Sequence, residues 1–172
     1  MKTKLVPLLI ILLIVGCTKQ DYFYTNSNQE IYFQVERINS AWGFYHSGWM
    51  IDSAGQIRGY NQPEAWNWID SHGYISGSKM KENIEQLDTT YTKINRDTLE
   101  KYISKIYFAS KGELTDPVPQ MADAGITVFS AFLYDSRSDK YKEVIIKQTG
   151  DQFIDNKSSS ANQIYNWLIR SK

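Results

Sequence analysis

The sequence predicts an α+β domain with a mainly antiparallel sheet, built from two hairpins and packed on one face by two or three helices. Strand and helix patterns follow in the order strand hairpin, helices, strand hairpin, helix. The strand segments alternate apolar and polar side chains, which is typical of a sheet with one solvated face. Short turns join successive strands, and this favours antiparallel pairing over a doubly wound parallel fold, whose strands need crossover helices.

The first hairpin is expected at the start of the domain. Apolar side chains at every second position from Ile31 to Val35 predict a half-buried strand. Two more strands are expected from about residue 43 to 51 and from 56 to 60. The polar segment that begins at Asp52 separates them, and we interpret this aspartate as a residue that hydrogen-bonds the turn backbone.

Residues 61–70 form the most unusual segment of the domain. Pro63 suits the first turn of a helix and Glu64 suits the positive end of its dipole, so the pattern predicts a short helix here. Trp66 and Trp68 stand two positions apart, and two such side chains cannot face the same way on a helix. We therefore expect one of these two rings to be exposed.

The rest of the domain alternates between helical and strand patterns. A helix is expected from near Ser78, whose hydroxyl can cap it, and the strongest helical periodicity lies between residues 95 and 112. Strands are expected at residues 125–134 and 141–148. The pattern after about residue 158 predicts a final helix.

The start of the chain differs in character from everything that follows. Lys2 and Lys4 precede a run of ten apolar residues, Leu5–Ile14. This run is shorter than the roughly 20 residues that a membrane-spanning helix needs, and it is typical of a secretory signal peptide. The tetrapeptide Ile14-Val15-Gly16-Cys17 then resembles the lipobox of bacterial lipoproteins.

The resemblance to bacterial lipoproteins implies cleavage before Cys17, a diacylglyceryl group on its sulfur and acylation of its new amino group. Residues 1–16 are then a signal peptide, residues 17–29 a lipidated cysteine with a flexible tether, and residues 30–172 a single α+β domain. Two or three acyl chains hold a protein at a membrane almost permanently. Thr18 is not the aspartate that retains many lipoproteins at the inner membrane, which favours the outer membrane where a cell has two.

Composition argues against several classes of function. Basic and acidic residues number 19 each, so the chain has no global positive field for nucleic acid. Cys17 is the single cysteine, which leaves no internal disulfide and no thiol nucleophile once it is lipidated. His46 and His72 lack the spacing of a zinc motif, and the common nucleotide-binding and serine-hydrolase motifs are missing. We expect neither a metal nor a cofactor.

Segment 42–72 is the strongest candidate for a binding surface, because it holds four of the five tryptophans. Flat rings beside amide side chains suit a sugar ring or a partner protein. The competing interpretation is that these rings form the core between the hairpin and its helix, and we favour it for Trp49 and Trp66. The candidate binding residues are Trp66, Trp68, Asn67, Asp70 and Glu64.

Taken together, these patterns favour a non-catalytic binding or interaction domain in the cell envelope. It is held at the membrane through acyl chains on Cys17 and faces an envelope protein or a glycan. One alternative is a glycan-binding or glycan-processing accessory that uses segment 42–72, with Glu64, Asp70 and Asp52 as the candidate carboxylates for acid and base chemistry. The other is an inhibitor or immunity-type lipoprotein that blocks an enzyme with the loop at residues 116–120.

Overall fold

The computed structural model describes residues 29–89 and 91–171. The predicted signal peptide, Cys17 and residues 18–28 of the predicted tether lie outside the described residues. In chain order, the elements are β1 (Ile31–Asn39), β2 (Tyr45–Asp52), β3 (Gln56–Asn61), β4 (Tyr74–Ser76), α1 (Gly77–Glu85), β5 (Tyr91–Lys93), α2 (Arg96–Ala109), β6 (Val118–Pro119), β7 (Ile126–Asp135), β8 (Lys140–Gly150), β9 (Gln152–Asp155) and α3 (Ser159–Leu168).

The strands form one antiparallel sheet, which together with the helices confirms the predicted α+β class. Strand order along the sheet is β5-β3-β2-β1-β7-β8-β9-β6. Both predicted hairpins are present, as β2–β3 and β7–β8, and β1 joins them by pairing with β2 on one side and β7 on the other. The outer edge of β8 pairs with β4 near its start and with β9 near its end.

The turn between β2 and β3 confirms the predicted role of Asp52. Its Oδ1 accepts the backbone N–H groups of Ala54 and Gln56, each at 2.9 Å. Gly55 has φ +79°, a left-handed conformation that glycine adopts without strain. Asp52 is therefore a structural residue of a tight hairpin turn.

Each of the three helices begins at a polar cap. Asn95 caps α2 and Ser158 caps α3, each through a side-chain oxygen that accepts a first-turn N–H. The predicted start of α1 near Ser78 holds, since the helix begins at Gly77, but the predicted cap is wrong: Ser76 is the cap and accepts from Lys79 N at 3.3 Å, while Ser78 lies inside the helix. Within the described ranges, no helix is long and apolar enough to cross a membrane.

Two helices pack on one face of the sheet, and their contact forms the larger core. α2 and α3 bury six side chains against apolar residues of β1, β2, β7 and β8, namely Leu99, Ile106, Ala109, Ala161, Ile164 and Leu168. Trp49 lies in this core at 6% exposure, and Trp167 stacks on Tyr102 with ring centroids 4.2 Å apart. Trp49 is therefore a core residue as expected, although it packs under α2 and α3 and not against residues 63–70, and Trp167 packs against the same core.

The opposite face, which the alternation predicts to be solvated, is covered in part by α1 and the loop that precedes β4. A second core forms here, from Ile31, Met50, Tyr60, Ile75, Met80, Leu87, Phe132 and Tyr141. Strand β4 pairs with the start of β8 and so brings α1 over this face. The domain consequently has covered surfaces on both sides of its sheet.

The predicted short helix at residues 63–70 is wrong, because this segment is an irregular loop. The backbone of Asn67 within this segment bonds to a side chain of α1 instead of to a helical turn. Asn67 donates its N–H to Asn83 Oδ1 at 2.8 Å, and Asn83 Nδ2 donates to the Asn67 carbonyl at 2.8 Å. Proline suits a helix start but does not create one, and these contacts with Asn83 fix an extended path.

Candidate functional site

A partly open cavity of about 200 Å³ lies between the second face of the sheet and the loop that contains Trp66, Asn67 and Trp68. Its walls are mostly isoleucine, valine and methionine side chains, with the two tryptophans over them. Polar side chains reach it from β1, β8, the loop and α1, namely Gln34, Glu36, Asn67, Asn83, Glu143 and Gln148. Apolar walls with a few convergent polar groups are characteristic of small-molecule sites.

The polar floor of this cavity follows from the two-residue period of the strands. In β1, Phe33 and Val35 belong to the core under α2 and α3, so Gln34 and Glu36 project from the other face. In β8, Val144 belongs to that core and Glu143 therefore projects into the cavity. The strands thus place two carboxylates on one covered face of the sheet.

The loop over the cavity is held by aromatic contacts as well as by Asn83. The Trp66 ring packs on Tyr60 with centroids 4.3 Å apart, and the Trp68 ring lies 4.7 Å from the His46 ring. Trp68 keeps 47% of its surface exposed, whereas Trp66 is half-buried. One of the two rings is therefore exposed, as expected, although the two residues lie in an irregular loop and not in a helix.

Glu36 lies in a network of buried polar side chains. His46, which is 1% exposed, places Nε2 2.9 Å from Glu36 Oε1. Gln34 Nε2 donates to the same carboxylate oxygen at 3.2 Å and to the Tyr60 hydroxyl at 2.9 Å. Burial and the neighbouring Glu36 charge raise the pKa of Tyr60, so its phenol stays neutral.

A glycine makes room for this network. A Cβ at Gly48 would collide with the Tyr60 hydroxyl and with the Val35 carbonyl oxygen. Because glycine has no side chain, the Tyr60 ring can lie across β2 and reach Gln34. Gly48 therefore contributes to the site because its lack of a side chain leaves room for the Tyr60 ring.

Glu143 is the second carboxylate of the cavity, and like Glu36 it is half-buried. Ser130 on the adjacent β7 donates its hydroxyl hydrogen to Glu143 Oε1. Burial raises the pKa of Glu143 and the negative charge of Glu36 adds to the rise, while the Ser130 hydrogen bond opposes it. The two carboxylates therefore interact electrostatically across the cavity floor.

Three of the five candidate binding residues from the sequence line the cavity, and two do not. Trp66, Asn67 and Trp68 belong to its covering loop. Asp70 holds a turn, since its Oδ1 accepts the N–H groups of His72 at 2.8 Å and of Tyr74 at 2.9 Å. The Tyr74 hydrogen bond is the main cause that lowers the pKa of Asp70.

The remaining carboxylate and histidine candidates from the sequence do not form a site. Glu64 is exposed on the loop and is not among the residues that line the cavity. Among residues 29–89 and 91–171, no three histidine, cysteine, aspartate or glutamate side chains cluster in a way that could hold a metal ion. His46 is instead a buried partner of Glu36.

Sequence reasoning missed Glu36 and Glu143, which are the charged residues of the cavity. Each occupies the polar position of a strand alternation, and such positions normally face water. The available signal was weak: Gln34 and Glu36 alternate with the core residues Phe33 and Val35 in β1, and Glu143 stands next to the core residue Val144 in β8. Only the covering loop turns these surface positions into a site.

No protein-family model, curated protein or solved structure matches the chain.

We expect Asn83→Ala to destabilise the domain and to loosen the loop over the cavity. It leaves the N–H and carbonyl of Asn67 without their partner, and each unpaired buried group costs about 1–3 kcal/mol. Urea unfolding should show the loss, and hydrogen exchange should speed up at residues 62–72. Asn166→Ala, on the exposed face of α3, is the matched control and should change little. Unchanged exchange in the loop of Asn83→Ala would contradict this role.

We expect Glu143→Gln to change how stability depends on pH. Because burial raises the pKa of Glu143 above its ordinary 4.5, the native protein loses stability as pH rises through that raised value. Glutamine keeps the shape and the Ser130 contact but never ionises. As pH rises above 4.5, the free energy of unfolding of the native protein should therefore fall relative to that of the variant, until pH has passed the raised pKa of Glu143.

Urea unfolding at a series of pH values measures this difference. Glu85→Gln, on the exposed side of α1, is the control and should follow the native profile. Identical profiles for the native protein and Glu143→Gln would show that Glu143 is not penalised by burial.

Proposed function

We propose that this protein is a lipid-anchored binding protein of the bacterial cell envelope, whose folded domain holds a small ligand in the cavity under Trp66 and Trp68 without catalysis. The observation that carries the proposal is the cavity itself. A sheet face with buried polar groups would normally be closed by packing or left open to water. Here a loop with two tryptophans covers it and leaves space.

The size and lining of the cavity support a small ligand of mixed polarity. Its volume of about 200 Å³ lies below the usual range of drug-sized sites, roughly 300–1,000 Å³. A compact molecule fits this space better than an extended polymer. The isoleucine and valine walls offer apolar contact, and the carboxylates on the floor offer hydrogen-bond acceptors.

The envelope location is supported by the resemblance of residues 1–17 to lipoprotein signals. A basic start, a short apolar run and small residues before a lone cysteine occur there together. The lipid anchor and the cavity are separate parts of the proposal, and each has its own test.

For the anchor, we expect Cys17 to carry the lipid. Cells that express the full chain and are fed an alkyne-labelled fatty acid should yield a labelled protein in the membrane fraction. Mass spectrometry should place a diacylglyceryl group on Cys17 at the new N-terminus. Cys17→Ser should lose the label, while the neighbouring control Thr18→Ser should keep it. A native protein without acyl groups would overturn this part of the proposal.

For the cavity, we expect Val128→Phe to fill the space and to fold with little loss of stability. Val144→Phe is the matched control, because Val144 lies in the closed core under α2 and α3 and overpacking there costs about 1–3 kcal/mol. Urea unfolding compares the two variants. Equal, large losses in both would show that no usable space exists beside Val128.

The same variant locates binding. A fragment screen of the full chain in detergent, followed by ¹⁵N NMR of the tryptophan indoles, should give hits that shift the Trp66 and Trp68 signals. These hits should disappear in Val128→Phe. A screen without such hits, or hits that survive in Val128→Phe, would overturn the proposal of a cavity-binding domain.

A second candidate function, glycan processing, is favoured by one observation. Glu36 and Glu143 line the same cavity, and burial raises the pKa of Glu143 as in a carboxyl group that acts as a general acid. Hydrolysis of aryl glycosides that is lost in Glu143→Gln would support this candidate. The carboxylates differ from those expected from the sequence, since Glu64 and Asp70 do not line the cavity.

A further inference from the structure

The charge of the cavity has one sign. Glu36 and Glu143 both line it, and none of the lining residues that the structure describes is a lysine or an arginine. His46 lies behind Glu36, against its Oε1, and is not a lining residue. Two carboxylates beneath apolar walls create a negative potential that the surrounding water screens poorly.

The hydrogen-bonding capacity left for a ligand is also one-sided. The four amide side chains that line the cavity all donate to protein acceptors. Gln34 donates to Glu36 and Tyr60, Asn67 to Glu82, Asn83 to the Asn67 carbonyl, and Gln148 to the Gln152 carbonyl. Gln34 and Asn67 use both amide hydrogens in this way, and Asn83 and Gln148 keep one each. Among side-chain amides and carboxylates, the capacity that remains is therefore richer in acceptors, chiefly the carboxylate oxygens, than in donors.

These acceptors stand beneath two indole rings. Trp66 and Trp68 both line the cavity, and the negative face of an indole attracts cations more strongly than any other aromatic side chain does. A sugar ring would stack on such faces too, but its hydroxyl groups need donors as well as acceptors. A substituted ammonium needs negative charge and ring faces, and one without N–H hydrogens needs no hydrogen-bond partner for its charged group.

We propose that the ligand of this cavity is a small organic cation, whose substituted ammonium group lies between the carboxylates of Glu143 and Glu36 and against the Trp66 and Trp68 rings. This inference rests on the proposed binding function and names its ligand class. The apolar walls contact the alkyl substituents, and the carboxylates neutralise the charge. Substituents on the nitrogen reduce the desolvation cost of the cation and suit walls made of isoleucine and valine.

Binding of a cation is linked to the proton of Glu143. The ligand charge lowers the pKa of this carboxyl and displaces its proton, so affinity rises with pH. The other titratable groups near the floor are Glu36 on β1, His46 on β2 and Tyr60 on β3. Because these groups also stand beside the cavity, the variant of Glu143 is needed to isolate the contribution of this carboxyl.

The experiment uses choline as the probe. The matched control ligand is the neutral isostere of choline, in which a carbon atom replaces the charged nitrogen. Titration calorimetry of the full chain in detergent should show choline binding about tenfold tighter than the isostere. Glu143→Gln should weaken choline about tenfold and leave the isostere unchanged, and it should flatten the pH dependence. Glu85→Gln on the exposed side of α1 should bind choline as the native protein does.

Trp68→Ala provides a second readout in a variant that keeps its fold, since this ring is exposed. It should weaken choline about fivefold and the isostere less, because only the cation has an electrostatic interaction with the indole face. Equal losses for both ligands would assign Trp68 to plain apolar contact and contradict the cation–π part of the inference.

The outcomes separate this inference from the proposed function. The cation inference is overturned if choline binds the native protein no more tightly than its isostere does. It is also overturned if choline binds Glu143→Gln as tightly as it binds the native protein. A neutral saccharide that shifts the Trp66 and Trp68 indole signals while choline does not also overturns it, yet leaves a cavity-binding domain in place. If no fragment shifts these signals, the proposed function fails and the cation inference fails with it.

Discussion

The candidate site depends on two hydrogen bonds between one side chain and one backbone unit. Asn83 of α1 accepts from the N–H of Asn67 and donates to its carbonyl, each at 2.8 Å. The Asn83 amide thus satisfies the backbone N–H and carbonyl that a helical turn or a neighbouring strand would otherwise satisfy. These bonds also hold the loop at a distance from the sheet. The tryptophans on either side of Asn67 are held over the cavity by the same contacts.

That loop changes the physical meaning of the sheet face beneath it. Polar positions of an antiparallel strand cost nothing while they face water, but a covered carboxylate loses hydration. The structure compensates Glu36 with His46 and Gln34, and Glu143 with Ser130. The compensation is incomplete at Glu143, where burial raises the pKa, and such a group is stabilised further by a cation or a proton.

Local patterns predicted most of the fold because local physics decides strands, turns and helix caps. The period of two in β1, the Asp52 turn and the polar caps Asn95 and Ser158 all act within a few residues. The pattern failed at residues 63–70, where Pro63 fits a helix start but Asn83, sixteen residues beyond Asn67, takes the backbone hydrogen bonds. No local signal contains that long-range contact.

The sequence by itself determined the α+β class, the elements of the larger core and the aromatic segment that covers the cavity, because periodicity and composition are properties of the chain alone. It also predicts the lipid anchor at Cys17, which lies outside the described residues. Only the tertiary structure decided that Glu36 and Glu143 share a cavity. Each looks like a solvated strand position in sequence, and it becomes part of a site because α1 and the Trp66–Trp68 loop exclude water from that face.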